Sequence, residues 1–201
     1  MKLKVCGMRD PENIRELVGL KPDLIGFIFF EGSKRFVGEG FVLPEIDPEI
    51  RKVGVFVNAS LEYILSRIEK YKLDLVQLHG DESADFCHEI KKRIPVIKAF
   101  GVNEDFNFDV LTEYAGRCNY FLFDTKSDLH GGSGKVFDWS LLKDYRGTTP
   151  FFLSGGIGPD EVDALVRSGS EIYGLDVNSR LEISPGLKNI QECKKIIKQL
   201  R

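Results

Sequence analysis

Phe151–Val177, reading FFLSGGIGPDEVDALVRSGSEIYGLDV, runs from a short apolar strand through a glycine pair into a helical stretch, and out into a second apolar strand. A strand, a crossover helix and another strand make the repeating unit of a parallel sheet. The same alternation extends in both directions. KLKVC (Lys2–Cys6) reads as a strand, and DPENIRELVGL after it as a helix, with Asp10 as N-cap and Pro11 at the first helical position. LIGFIFF (Leu24–Phe30) is a continuous apolar run, as expected of a strand covered on both faces. KVGVFV (Lys52–Val57) is followed by a helix that Ser60 caps, LDLVQLHG by the helix ESADFCHEIKKR, and PVIKAFGV by a weaker helix around Phe108–Ala115. NYFLF then precedes a short helix at Asp138–Tyr145, and the chain ends in a helix expected over Leu187–Leu200. Eight strands, each followed by helical or loop material, predict a single-domain α/β protein over residues 1–201, a parallel eight-stranded (β/α)₈ TIM barrel. The stretch VGEGFVLPEIDPEI, rich in Gly and Pro, predicts that the second helix is short or irregular.

Bulk properties narrow the chemistry. A 42% hydrophobic, 29% charged chain of 201 residues is long enough to bury a full core and ordinary enough to be globular. A net charge of -3 argues against broad nucleic-acid binding, which needs a basic surface. No apolar run is long enough to span a membrane, and MKLKVCGMRD lacks the apolar core of a signal peptide, so a cytoplasmic location is expected. Cys6, Cys87, Cys118 and Cys193 are scattered without metal-type spacing, so neither a metal nor a disulfide framework is expected.

In a (β/α)₈ barrel the active face is built from the C-terminal ends of the strands. Here polar residues and glycines gather at those ends: Cys6-Gly7, Ser33-Lys34-Arg35, Asn58, His79-Gly80, Asp124, Ser154-Gly155-Gly156 and Asp176 to Ser179. Gly155 and Gly156 before a helix N-terminus, beside Asn178 and Ser179 beyond the eighth strand, form the expected phosphate cradle, because free N–H groups and the helix dipole favour an anion. Cys6 and Asp124 face the same mouth and make an acid/base pair suited to proton transfers on a phosphorylated small molecule without any cofactor. Asp124 opens into a loop carrying Gly131, Gly132 and Gly134, where a ligand or a folded-over lid would fit. Strand parity puts Lys4 on the face of Cys6, inside the barrel, where its ammonium needs a carboxylate; Asp176 is the expected partner. His79 is either a further proton-transfer group or a structural hydrogen-bonder that orients its neighbours. Arg35 offers a planar fork of donors for a carboxylate.

The motifs KVCGMRD, GFIFFEGSKRFV, VGVFVN, VQLHGDES, VIKAFGV, FDTKSDLHGGSGKVFDW, LSGGI and GLDVNSRLEISPGLK, in register from Val5 to Lys188, resemble the phosphoribosylanthranilate isomerase family. The resemblance implies an Amadori rearrangement of N-(5'-phosphoribosyl)anthranilate to the 1-deoxyribulose 5-phosphate in tryptophan biosynthesis. It also implies that Cys6 is the general base and Asp124 the general acid. Arg35 would bind the anthranilate carboxylate, Asp176 a sugar hydroxyl, with His79 also at the substrate, and the phosphate would rest on Gly155, Gly156, Asn178 and Ser179. The expected partner is a small phosphorylated substrate and neither nucleic acid nor membrane, with the chain acting as a monomer or homodimer. Many members read SSG where this chain has Asn178-Ser179-Arg180, so a left-handed backbone there would strain Arg180 unless the loop rearranges; the alternative is that Arg180 adds a direct charge near the phosphate. The alternatives are another phosphate-binding barrel, such as the histidine-pathway aminoaldose isomerase, expected to use two aspartates, and a silent barrel that only binds a phosphorylated metabolite.

Overall fold

β1 (Lys2–Val5) and β8 (Gly174–Val177) close the sheet: Lys2 pairs with Gly174, Leu3 with Leu175, Lys4 with Asp176 and Val5 with Val177, all parallel. Between them run β2 (Leu24–Ile28), β3 (Arg51–Phe56), β4 (Leu75–Leu78), β5 (Val96–Val102), β6 (Tyr120–Thr125) and β7 (Phe151–Leu153), each hydrogen-bonded to its sequence neighbours in one closed parallel barrel. The computed structural model describes residues 1–125, 139–167 and 171–201. The glycine loop with His130, Gly131, Gly132 and Gly134 lies outside the described residues.

The helices start where their caps dictate. Asp10 accepts from the Asn13 N–H at the head of α1 (Pro11–Val18), Ser60 from the Tyr63 N–H at α2 (Leu61–Tyr71), and Ser83 from the Phe86 N–H at α3 (Ala84–Lys91). The weaker helix expected around Phe108–Ala115 is a 3₁₀ turn leading into α4 (Leu111–Tyr114). The one expected at Asp138–Tyr145 is a 3₁₀ segment over Trp139–Asp144, with Asp138 itself outside the described residues. After α5 (Pro159–Arg167) and β8, the expected terminal helix is shorter than its apolar pattern suggests. α6 spans Ile190–Leu200, capped by Asn189, and Leu187–Lys188 is instead a strand, β10, antiparallel to β9 (Glu182–Ser184).

No helix lies between β2 and β3 among the described residues, as the prolines and glycines there foretell. Aromatic packing covers the gap. Phe41 from the connecting loop sits 5.7 Å from Phe27 and 5.6 Å from Tyr71 of α2, whose hydroxyl donates to the Phe41 carbonyl. A second aromatic cluster shields β5, β6 and β7 where helices are short: Phe100 meets Phe121 edge-on at 5.3 Å, and Phe123 meets Phe151 at 5.1 Å.

Inside the barrel, Leu24, Val53, Leu75, Ile97, Leu122 and Phe152 form an apolar plug, with Tyr120 and Tyr173 packed against it. The plug fills the barrel, so the polar side chains that follow it along the same strand faces collect at the C-terminal end.

Candidate active site

β1 delivers Lys4 and Cys6 to the interior above the apolar plug. Cys6 is buried, and its Sγ fits over Gly26 of β2, where an ideal Cβ would lie only 2.8 Å from the sulfur. Any residue but glycine at that point would displace the thiol. Lys4 Nζ donates to Asp176 Oδ1 at 2.8 Å, the pairing expected from strand parity, with both side chains buried. Burial works against the Lys4 charge, but Asp176 and Cys6 more than offset it and hold the ammonium above its ordinary range. Burial pushes the Cys6 thiol up; Lys4 and Lys188 pull the other way without cancelling it.

Asp124 lies near the end of β6, with a side chain 17% exposed, and its Oδ2 is 3.6 Å from His79 Nε2. The Gln77 amide donates to His79 Nδ1 at 2.7 Å, which in the neutral ring leaves the proton on Nε2, toward Asp124. Both alternatives left open for His79 require this position beside Asp124. Burial raises the Asp176 carboxyl; Lys4 opposes that shift and the nearby Asp124 charge adds to it. Cys6, Lys4, Asp176, Asp124 and His79 thus form one electrostatically linked set at the mouth.

The loop after β4 is fixed by two charged groups that the sequence motifs did not single out. Glu82 accepts from the Asn58 N–H at 2.8 Å and the Gly80 N–H at 2.9 Å, while buried Lys98 donates to the Gly80 carbonyl at 2.7 Å and to Glu82 at 3.1 Å. A lysine in the middle of the apolar run VIKAFGV was the available signal, since a buried cation demands a partner.

Gly155 and Gly156 both take left-handed backbone, φ 94° and 68°, which turns the chain sharply between β7 and the N-terminus of α5. Asn178 and Ser179 follow β8, directly beside that turn because β7 and β8 pair. The strain expected at Arg180 does not arise: Ser179–Leu181 coils into a 3₁₀ turn, and Arg180 is not among the residues of positive φ. Its guanidinium bridges the two loops instead, from the Gly156 carbonyl at 3.3 Å to Glu161 at 3.7 Å.

Arg35 sits across the mouth, its stem against Gly7, but its Nε and Nη2 are engaged by Glu182 at 2.8 Å and 2.6 Å. Glu182 was missed as well, with Lys188 beside it, because both belong to the unforeseen β9–β10 hairpin and the Arg35 partner of Glu182 is 147 residues away. Burial would raise its carboxyl; Arg35 and Lys188 hold it below the usual carboxylate range.

The model of the N-(5'phosphoribosyl)anthranilate (PRA) isomerase family matches residues 3–199. The chain belongs to that family. An N-(5'-phosphoribosyl)anthranilate isomerase of Parabacteroides distasonis is 48% identical, over all of this chain and 93% of its own length. The crystal structure of phosphoribosyl anthranilate isomerase from Thermotoga maritima superposes with a TM-score of 0.87 at 35% identity, covering 99% of this chain and 98% of that one. A phosphoribosyl anthranilate isomerase in complex with reduced 1-(o-carboxyphenylamino)-1-deoxyribulose 5-phosphate superposes at 0.84 with 32% identity, covering 99% and 97%. Membership of the phosphoribosylanthranilate isomerase family makes the chain an isomerase on a TIM barrel. Among the described residues no helix is long and apolar enough to cross a membrane.

Proposed function

We propose that this isomerase of tryptophan biosynthesis works by general acid/base catalysis at the mouth, with Asp124 as acid and Cys6 as base. The observation that carries this reading is the arrangement of the two groups on the barrel interior: a buried thiol after β1 and a partly exposed carboxylate at the end of β6, with the Lys4–Asp176 ion pair in the electrostatic field of both. Asp124 protonates the furanose ring oxygen as the C1'–O bond breaks, which gives an open-chain Schiff base. Cys6 then takes the C2' proton, and the electron pair left behind forms the C1'–C2' double bond of an enolamine. Protonation at C1' returns the ketone. No redox partner is needed, because one carbon of the sugar is reduced as its neighbour is oxidised.

The remaining groups bind. Arg35 holds the anthranilate carboxylate through a planar fork. The N–H groups around Gly155, Gly156 and Ser179, at the head of α5, hold the phosphate, with Asn178 completing the cradle. Asp176 meets a sugar hydroxyl, and His79 orients Asp124 and the substrate beside it. The chain acts as one barrel unit in the cytoplasm, with a small phosphorylated metabolite as its substrate.

The test is the decay of anthranilate-type fluorescence when freshly made phosphoribosylanthranilate meets the purified chain in chelator-treated buffer. Rapid protein-dependent loss that disappears in Cys6→Ala is expected. Decay no faster than the spontaneous rate, with folded protein, would overturn the reading and leave the silent binding barrel and an enzyme acting on another sugar phosphate, which a screen of sugar phosphates separates.

A further inference from the structure

We infer that Glu182 is the positioning residue that aims Arg35 at the substrate carboxylate and ties that anchor to the phosphate loop; the inference rests on the reading of Arg35 given above. A guanidinium has two edges that can engage a carboxylate side by side: Nε with Nη2, and Nη1 with Nη2. Glu182 occupies the first edge, with contacts of 2.8 and 3.0 Å to Nε and 2.6 Å to Nη2. Among the described residues the second edge is the one left to a ligand.

Glu182 is itself held rigidly. Lys188 Nζ, fully buried, donates to Oε1 at 2.7 Å, and the Gly186 N–H donates to the same oxygen at 3.0 Å. The β9–β10 hairpin places Lys188 opposite Glu182. Lys188 also donates to Asn178 Oδ1 at 2.7 Å. An unbroken chain therefore runs from Arg35 through Glu182 and Lys188 to Asn178 of the phosphate loop. Two basic side chains share one carboxylate in it, so the set has room for a second anionic partner. The stem of Arg35 lies against Gly7, where an ideal Cβ would come within 2.8 Å of its Cδ, so the guanidinium has little freedom to swing away.

A competing geometry has Glu182 block Arg35, to be displaced by substrate. The two differ in sign: a positioning carboxylate strengthens binding of a carboxylate-bearing ligand, whereas a competitor weakens it. Calorimetric titration with two probes separates them: reduced 1-(o-carboxyphenylamino)-1-deoxyribulose 5-phosphate and its phenylamino counterpart without the ring carboxylate. Glu182→Gln should weaken the first by on the order of tenfold and the second by less than about twofold, with KM rising more than kcat falls. Glu182→Asp, which keeps the charge but shortens the reach, should show a smaller loss with the same selectivity and serves if the Gln variant does not fold. Unchanged or tighter binding of the first probe, or equal loss of both, overturns the inference. Arg35→Ala is the control for the underlying reading: if it fails to discriminate between the probes, Arg35 is not the carboxylate anchor and the inference falls with it. If it discriminates and the Glu182 variants do not, only the role of Glu182 fails.

Discussion

Lys4 Nζ and Asp176 Oδ1 stand 2.8 Å apart on neighbouring strands at the closure of the barrel, with side chains 0% and 5% exposed. The pair sits between the apolar plug and the mouth of the barrel, and Cys6 shares the field of both charges. Its position makes one interaction serve the fold and the site together.

Removing one member of a buried ion pair strands the other charge in a place water cannot reach. Lys4→Met should therefore destabilise the protein by about 3–5 kcal/mol, read as a lower midpoint in denaturant. Adding Asp176→Leu should recover most of that loss while leaving the enzyme inactive. A single variant as stable as the parent would show that the pair is solvated.

Gly26 is expected to matter through space rather than backbone freedom. A methyl there lies 2.8 Å from Cys6 Sγ and 3.2 Å from its Cα, so the thiol must shift. Gly26→Ala should lower kcat by about ten- to a hundredfold with a much smaller change in KM, because misplacing a reacting group costs rate before it costs binding. Steady-state fluorescence assays would measure the split, and an unchanged kcat would mean that the sulfur is not the reacting atom.

The pH profile follows from the buried thiol. Desolvation raises Cys6, while Lys4 and Lys188 lower it less than burial raises it, and Asp176 adds to the rise. When an acid and a base act in one turnover, the alkaline limb of kcat/KM marks the group that loses its proton last. That limb should lie above about pH 8.5, the ordinary thiol value. A decline that sets in near neutrality would contradict Cys6 as the titrating base.

Local chemistry and the pairing that barrel closure fixes were legible in the sequence, and pairing outside that register was not. Asp10 and Ser60 announce their helices because a cap acts within three residues, and the prolines after β2 announce a missing helix for the same local reason. Lys4 and Asp176 were paired in advance because barrel closure and strand parity fix who faces whom. Glu182 was invisible: EIS and LK are too short to read as strands, and the apolar spacing of α6 absorbed Leu187 into a helix that begins only after Asn189. Arg35 was placed correctly at the mouth, but its fork to Glu182 depends on contacts that no periodicity encodes. The strain expected at Arg180 came from comparing loops residue by residue, whereas a 3₁₀ turn accommodates the larger side chain without positive φ.

The most direct test of the central claim is to measure turnover and ligand affinity together in Asp124→Asn. The amide keeps the shape of the carboxyl but cannot deliver its proton, and the proposed carboxylate and phosphate anchors are other residues. The account predicts a fall in kcat of about 10²–10⁴-fold, the usual contribution of a placed acid. The dissociation constant for reduced 1-(o-carboxyphenylamino)-1-deoxyribulose 5-phosphate should stay within about threefold of the parent value. Turnover that survives, or binding that is lost in step with it, would contradict the assignment of Asp124 as the acid.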